Sequence, residues 1–299
     1  MSRAISYQEA TARERLQHLF DASSFEEFLP PSERITSPHL PQLNAPVAFD
    51  DGVAIGRALL GGVPVYVAAQ EGAFMGGAVG EVHGAKLVGL LRKAVADKVA
   101  AVVLLVESGG VRLHEANAGL IAVSEVMRAL LDARDAGVPV IALVGGANGA
   151  FGGMGIVTRC ANVVVMSEEG RLAMSGPEVI ETANGVEEYD SRDRALVWRT
   201  SGGKHRYLLG DCQRIVADDV AAFRAAAQEA VASLAGTQTG LTLEALEAEQ
   251  HMLAARLENY GGLADPVDIW SAMQVPDAAT IPMLDVDSFI AAASQRKGV

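Results

Sequence analysis

"VGGANGAFGGMG", residues 144–155, places six glycines in twelve residues. It follows "VPVIAL" (138–143), an apolar β-branched run of strand length, and leads toward another such run in "CANVVVMS" (160–167). Glycine at this density is costly unless the backbone turns sharply or comes close to a ligand. A strand that ends in glycines and restarts as a helix presents unpaired N–H groups at the helix start, where the helix dipole adds positive potential. Such an end accommodates an anion, either a phosphate or a developing oxyanion.

The same switch occurs twice more, in "MGGAVGEVHG" (75–84) and "SGGVRLHEA" (108–116). One Gly-Gly before a helix ordinarily makes only a tight turn; three in one core ask for a ligand. The ligand is not a nucleotide held by a P-loop, because no Gly-Lys-Ser/Thr follows. Nor does a G-x-G-x-x-G run stand where a dinucleotide site needs it.

Outward from these loops the chain alternates. Strands are predicted at 63–71, 99–107 and 138–144, with short ones in "ANVVVMS" (161–167) and "RLAMSG" (171–176). Between them lie helical stripes through Leu87, Leu90, Leu91, Ala94 and Val95, and through Leu120, Val123, Met127 and Leu130, the second stopped at Gly137. Strands apolar on both faces and separated by helices predict an α/β protein with a mostly parallel sheet. Residues 6–28 read as a polar helix carrying Leu16, Leu19 and Phe20. Pro30, Pro31, Pro38, Pro41 and Pro46 then make an extended connector. Beyond residue 215 the chain turns helical, and Leu243, Leu246, Leu253 and Leu257 form a near-heptad stripe that belongs in a core or a subunit interface. The organisation is therefore an arm and connector (1–46), a core (47–235) and a helical tail (236–299).

A net charge of −13 argues against nucleic acid and anionic membrane as partners. Cys160 and Cys212 have neither metal-ligand spacing nor enough company for a disulfide framework, so no metal is expected and a reducing cytoplasm is. The N-terminus shows no apolar secretory region, and no run reaches eighteen apolar residues.

In order along the chain, "FMGGAVGEVHGAKL", "ESGGVRLHEANAG" and "GGANGAFGGMGIVTRCANVVVMSEEGRLAMSGPEVIE" resemble the successive motifs of the crotonase superfamily. They are most similar to the β half of the biotin-dependent acyl-CoA carboxyltransferases and, within that group, to the β subunits of biotin-independent malonate decarboxylases. The polar segment after "PEVIE" fits the latter. The resemblance runs from about residue 6 to residue 220. It implies a crotonase-like spiral of ββα units, with an N-terminal helical arm and C-terminal helices. It also implies three partners: a related γ subunit, an acyl carrier protein with a pantetheine-type prosthetic group, and a transferase that loads malonyl. The four-cysteine zinc ribbon of many carboxyltransferase β chains is absent, as is a Met-Lys-Met biotin-attachment motif, so no cofactor and no biotin are expected on this chain.

Decarboxylation of a malonyl thioester leaves an enolate whose charge collects on the thioester oxygen. It needs amide donors and a proton source, not a strong nucleophile, and the sequence has no Gly-x-Ser-x-Gly elbow. The resemblance assigns the donors to Gly110 and Val111 on one loop and to Gly152 and Gly153 on the other. It places Gly76, Gly77, Gly109, Arg112, Gly149, Ala150 and Phe151 around the substrate. His114, with Glu115 beside it, and Glu178 are candidate proton donors; His205 is a weaker one. Arg192, Arg194, Arg199, Lys204 and Arg206 form a basic island suited to an acidic carrier, or to a plain solvated loop. Two other readings stay open: a carboxyltransferase that passes CO2 to biotin, and a non-catalytic scaffold for the γ subunit.

Overall fold

A computed structural model describes residues 4–297; the extreme ends of the arm and tail segments, residues 1–3 and 298–299, lie outside it. Seven strands form one sheet in chain order: β1 (Glu26–Phe28), β2 (Val53–Leu60), β3 (Val63–Gln70), β4 (Val102–Val106), β5 (Val140–Val144), β6 (Val163–Ser167) and β7 (Arg214–Val216). β1, β2 and β3 pair antiparallel, and β3 through β7 run parallel. β2 was not legible in the sequence: "VAIGRALL" neither alternates nor runs wholly apolar. It is joined to β3 by Gly61 and Gly62 at φ +61° and +79°, the two left-handed residues that a tight hairpin matching the strand twist requires. Both of their amides donate to the Asp21 carboxylate, at 3.0 and 2.7 Å.

The parallel strands are buried on both faces, and their side chains alternate between two cores. Val102, Leu104, Val106, Val140, Ala142 and Val144 pack under α2 (Glu81–Asp97), α3 (Asn117–Asp135) and α4 (Gly152–Arg159). Ala101, Val103, Leu105, Ile141, Leu143 and Val165 pack on the other face, under α1 (Ala12–Leu19) and α8 (Val220–Leu234). The arm helix is thus shorter than 6–28. Thr11 and Glu14 form a capping box at its start, and the end of the predicted span is β1 instead.

Past the main strands, single residues pair in a second layer: Val79 with Val111, and Ser108 with Ala150, which in turn pairs with Leu172. Each turn of the spiral is therefore a strand, a one-residue bridge and a helix, the expected ββα unit with its second strand almost reduced to a point. The short strand predicted at "RLAMSG" is this bridge.

Between β6 and β7 lie α5 (Pro177–Asn184), α6 (Arg194–Ser201) and α7 (Gly203–Leu208). The tail comprises α9 (Leu243–Tyr260), α10 (Pro266–Ala272) and α11 (Val286–Ala293). Trp270, Met273, Ile281 and Phe289 from the tail build a third cluster on Leu208 and Ile215. The leucine stripe of α9 is not core: the helix has no buried residue, and Leu243 and Leu257 are 66% and 74% exposed.

Candidate active site

The three glycine loops converge at the C-terminal ends of β3, β4 and β5. In the first, Met75, Gly76 and Gly77 all have left-handed backbone, at φ +50°, +65° and +67°. The Gly76 carbonyl accepts the Gly109 amide at 2.8 Å, which joins the first loop to the second. The second joins the third through the Ser108–Ala150 bridge: Ser108 donates to Gly149 O at 2.8 Å, and Phe151 donates to Ser108 O at 2.9 Å. Gly110 (φ +120°) then faces Gly152 (φ +55°) so closely that a Cβ on Gly110 would stand 3.2 Å from Gly152 Cα and 3.6 Å from Gly153 N.

The amides of these loops differ in what they bind. Gly110 donates to Ser108 Oγ at 3.1 Å and Gly152 to Met174 O at 2.9 Å. Val111 and Gly153 find no acceptor among the described residues. One member of each sequence-predicted pair is therefore committed within the protein, and the other is open. Backbone amides are strong donors that seek an acceptor, and these two, on facing loops, have none within the described residues. Val111 and Gly153 are only half-buried, within reach of a ligand. Gly153 is also the second residue of α4, where no intrahelical acceptor exists.

The other residues assigned to substrate divide. Gly76 has open space where a Cβ would stand, and Gly109 meets only the Gly76 carbonyl at 3.5 Å. Gly77 instead lets its loop press against the Glu107 carbonyl; Ala150 and Phe151 spend their amides on the loop bridges, and Gly149 donates its own to Gly146 O at 3.0 Å within the third loop. Arg112 corrects the sequence reading: it is a buried structural cation, not a substrate contact. Its Nη1 donates to both Asp51 carboxylate oxygens, at 3.1 and 2.9 Å, and its Nη2 to Asp51 O at 3.2 Å. Burial pushes the Asp51 carboxyl above the usual carboxylate range, while the Arg112 guanidinium pulls it back. Glu115 lies on the same cation at 3.5 Å and caps α2, accepting the Glu81 amide at 2.6 Å, so it is no free proton donor.

His114 and Glu178 are exposed, three residues past Val111 and in the first turn of α5. His205 is buried and accepts the Trp270 indole N–H at 3.1 Å; burial pushes its pKa down to about 3, which removes it as a proton carrier. His83, not singled out in the sequence, is likewise pushed down to about 3 by burial, between Asp51 O and the Gln70 side chain.

The basic island disperses. Lys204 is buried, donates to Pro282 O at 3.1 Å and to Leu284 O, and ties the tail to the core. Arg206 pairs with Asp211 at 3.1 Å, and Arg199 with Asp265 at 3.3 Å. Arg192 and Arg194 alone stay largely exposed, at 81% and 67%, beside Asp190 and Glu169. Sequence could not separate Arg199 and Lys204 from them, because the tail that takes up those two charges lies some sixty to eighty residues further on. Among the described residues, no three His, Cys, Asp or Glu side chains are placed to hold a metal ion, and no helix is long and apolar enough to cross a membrane.

The chain is similar to known proteins over most of its length. Residues 6–241 match the carboxyl transferase domain family. The chain is 39% identical to the malonyl-S-ACP:biotin-protein carboxyltransferase of Malonomonas rubra, over 98% of this chain and 96% of that protein. It superposes on a subunit of a Pseudomonas malonate decarboxylase hetero-tetramer, crystallised with malonate, with a TM-score of 0.80 and 38% identity, covering 90% of this chain and 97% of that one. A chain of a Pseudomonas malonate decarboxylase hetero-dimer matches at TM-score 0.65 and 35% identity, over 84% and 96% of the two chains. Facing glycine loops on a ββα spiral and near full-length similarity lead to one assignment: the chain belongs to the carboxyl transferase family, in its malonate decarboxylase branch with the crotonase-like fold.

Proposed function

We propose that this chain is the catalytic β subunit that converts malonyl-S-acyl carrier protein to acetyl-S-acyl carrier protein and CO2 without biotin. The observation that supports it is the pair of open amides, Val111 and Gly153, on loops that meet at Gly110 and Gly152. When the C–C bond to the carboxylate breaks, its electron pair passes into the enolate and CO2 leaves. The thioester oxygen, now carrying the charge, accepts from both amides. The carbanion carbon then takes a proton to become the acetyl methyl. His114, exposed beside the second loop, supplies that proton in this reading, with Glu178 as the other candidate. Fixed amides suit this reaction because they need no reorganisation as charge develops, and loss of one such donor typically costs about 10²–10³ in rate.

Around these loops, Leu113, Leu120, Ile121, Met174 and Val179 are each 57–82% exposed. Exposed apolar side chains on the elements that carry the donor loops suit a docking surface, and we assign them to the related γ subunit. Arg192 and Arg194 guide the acidic carrier, whose pantetheine-type arm delivers the malonyl group loaded by a transferase subunit. We place the complex in the cytoplasm, where Cys160 and Cys212, both free here, stay reduced.

A second reading is supported by the Malonomonas relative, whose name describes transfer to a biotin protein: the same enolate chemistry, with CO2 captured by a biotin carrier. The test is acetyl-S-carrier formation by the assembled complex, with and without avidin. Undiminished turnover under avidin supports direct decarboxylation; abolished turnover supports transfer.

A further inference from the structure

We infer that Glu107 is a positioning residue for the reaction, holding the two donor loops in register from beneath. The inference rests on the proposed role of the Val111 and Gly153 amides. Glu107 is the last residue before the 108–111 loop, so its backbone launches that loop. Its side chain turns the other way, into a cradle that only glycines permit: a Cβ on Gly146 would stand 2.5 Å from the Glu107 carboxyl carbon, and one on Gly72 would also collide with the carboxyl group. There Oε1 accepts the Asn148 backbone amide and the Asn148 side-chain amide, each at 3.3 Å, and Asn148 belongs to the third loop. Oε2 accepts from Arg15 of the arm helix. The Glu107 amide donates to Gln70 Oε1 at 3.2 Å, at the end of β3. One residue thus touches the strand before the first loop, the start of the second loop and the stem of the third.

Stability alone does not account for this choice. The Arg15 and Glu107 side chains are only 1% and 7% exposed, and a buried ion pair is often matched or bettered by apolar residues of similar size. What apolar residues would not supply is a directional tie to Asn148. The backbone bridge of Ser108 and Ala150 fixes the two loops along one line; the carboxylate fixes a second point, so the loops cannot pivot about that bridge. Pivoting would carry Val111 away from Gly153, and a misplacement of about 1 Å can cost roughly 10²-fold. Arg15 brings the arm into this device, so the first turns of the protein act on the site without approaching substrate.

The experiment compares wild type, Asn148→Ala and Glu107→Gln in the assembled complex, on malonyl-S-carrier and on a short carrier-free malonyl thioester. Asn148→Ala removes one tie and leaves the Arg15–Glu107 pair intact, so it reports even if Glu107→Gln does not fold. The expected result is a loss in kcat of about tenfold for Asn148→Ala, equal on both substrates, with KM within about twofold and a nearly unchanged melting midpoint. Where Glu107→Gln folds, its loss is at least as large, and the double variant loses no more than the worse single one, as for residues acting through one tie. A kcat within twofold of wild type in Asn148→Ala overturns the inference while leaving the amide reading intact. A wild-type complex that does not turn over malonyl-S-carrier contradicts the amide reading itself.

Discussion

Gly110 and Gly152 face each other so closely that a Cβ on either would come within 3.2 Å of the other's Cα, and both have left-handed backbone. Neither amide is free, yet each residue immediately precedes one that is. On the proposed reading the glycines serve the site indirectly, by letting two loops approach so that the amides of Val111 and Gly153 reach one thioester oxygen.

A methyl group at Gly110 should wedge that cleft open. Gly110→Ala is expected to lower turnover by about 10²-fold or more and stability by roughly 1–3 kcal/mol, from the positive φ. Gly62→Ala is the control: it has φ +79° but nothing within 4 Å of the added atom and no place in the site. Matched kcat measurements and thermal melts should show a stability loss in both and an activity loss in Gly110→Ala alone. A Gly153→Val variant would not serve, since a Cβ there already meets Val123 Cγ1 at 2.7 Å.

Arg112 and Asp51 are fully buried against each other. Removing one partner strands the other charge, which costs about 3–5 kcal/mol. Arg112→Met should accordingly drop the urea midpoint sharply, while the KM of the fraction that remains folded stays at the wild-type value. A large rise in KM without loss of stability would restore Arg112 as a substrate contact.

Acid should destabilise the protein through its buried histidines. Burial holds His83 and His205 near 3, below the ordinary histidine value of 6.5. Between those values the unfolded chain binds protons that the folded one refuses, so stability rises with pH there. The contribution is complete above pH 6.5 and fades as pH falls toward 3, by up to about 1.4 kcal/mol per pH unit for each histidine. Urea unfolding at pH 7, 6 and 5 checks the slope, and His205→Phe should flatten it. An unchanged stability from pH 7 to 5 would contradict the burial of both rings as neutral groups.

Charge reversal separates docking from folding within the basic segment. Arg192→Glu with Arg194→Glu should raise KM for malonyl-S-carrier several-fold at low salt and leave kcat unchanged. Salt should mask the effect, because exposed charges are screened over about 8 Å at physiological ionic strength. Lys204→Glu should instead release the tail from Pro282 O and Leu284 O, lowering the melting midpoint and activity together on every substrate.

What the sequence disclosed follows what is local. Glycines before helices, apolar runs and stripes are short-range patterns, and they located β3 to β6, α2, α3 and the three loops. β2 escaped because its pairing is decided by the hairpin glycines, not by its own pattern. Arg112 and Lys204 were misjudged, and the setting of His205 was not visible, for one reason: a charged or titratable side chain is defined by partners distant in the chain. Asp51, Leu284 and Trp270 lie 61, 80 and 65 positions away. The division of each donor pair into a bound and an open amide was likewise invisible, because Gly152 is taken up by Met174, a residue in the following turn of the spiral.

The structure of the assembled complex with a malonyl-thioester analogue that cannot lose CO2 tests the central claim most directly. The account predicts the thioester oxygen within about 2.7–3.1 Å of both the Val111 and Gly153 nitrogens, with Gly110 and Gly152 still bonded to Ser108 and Met174. A thioester oxygen seated on other donors, with both amides left open, would contradict it.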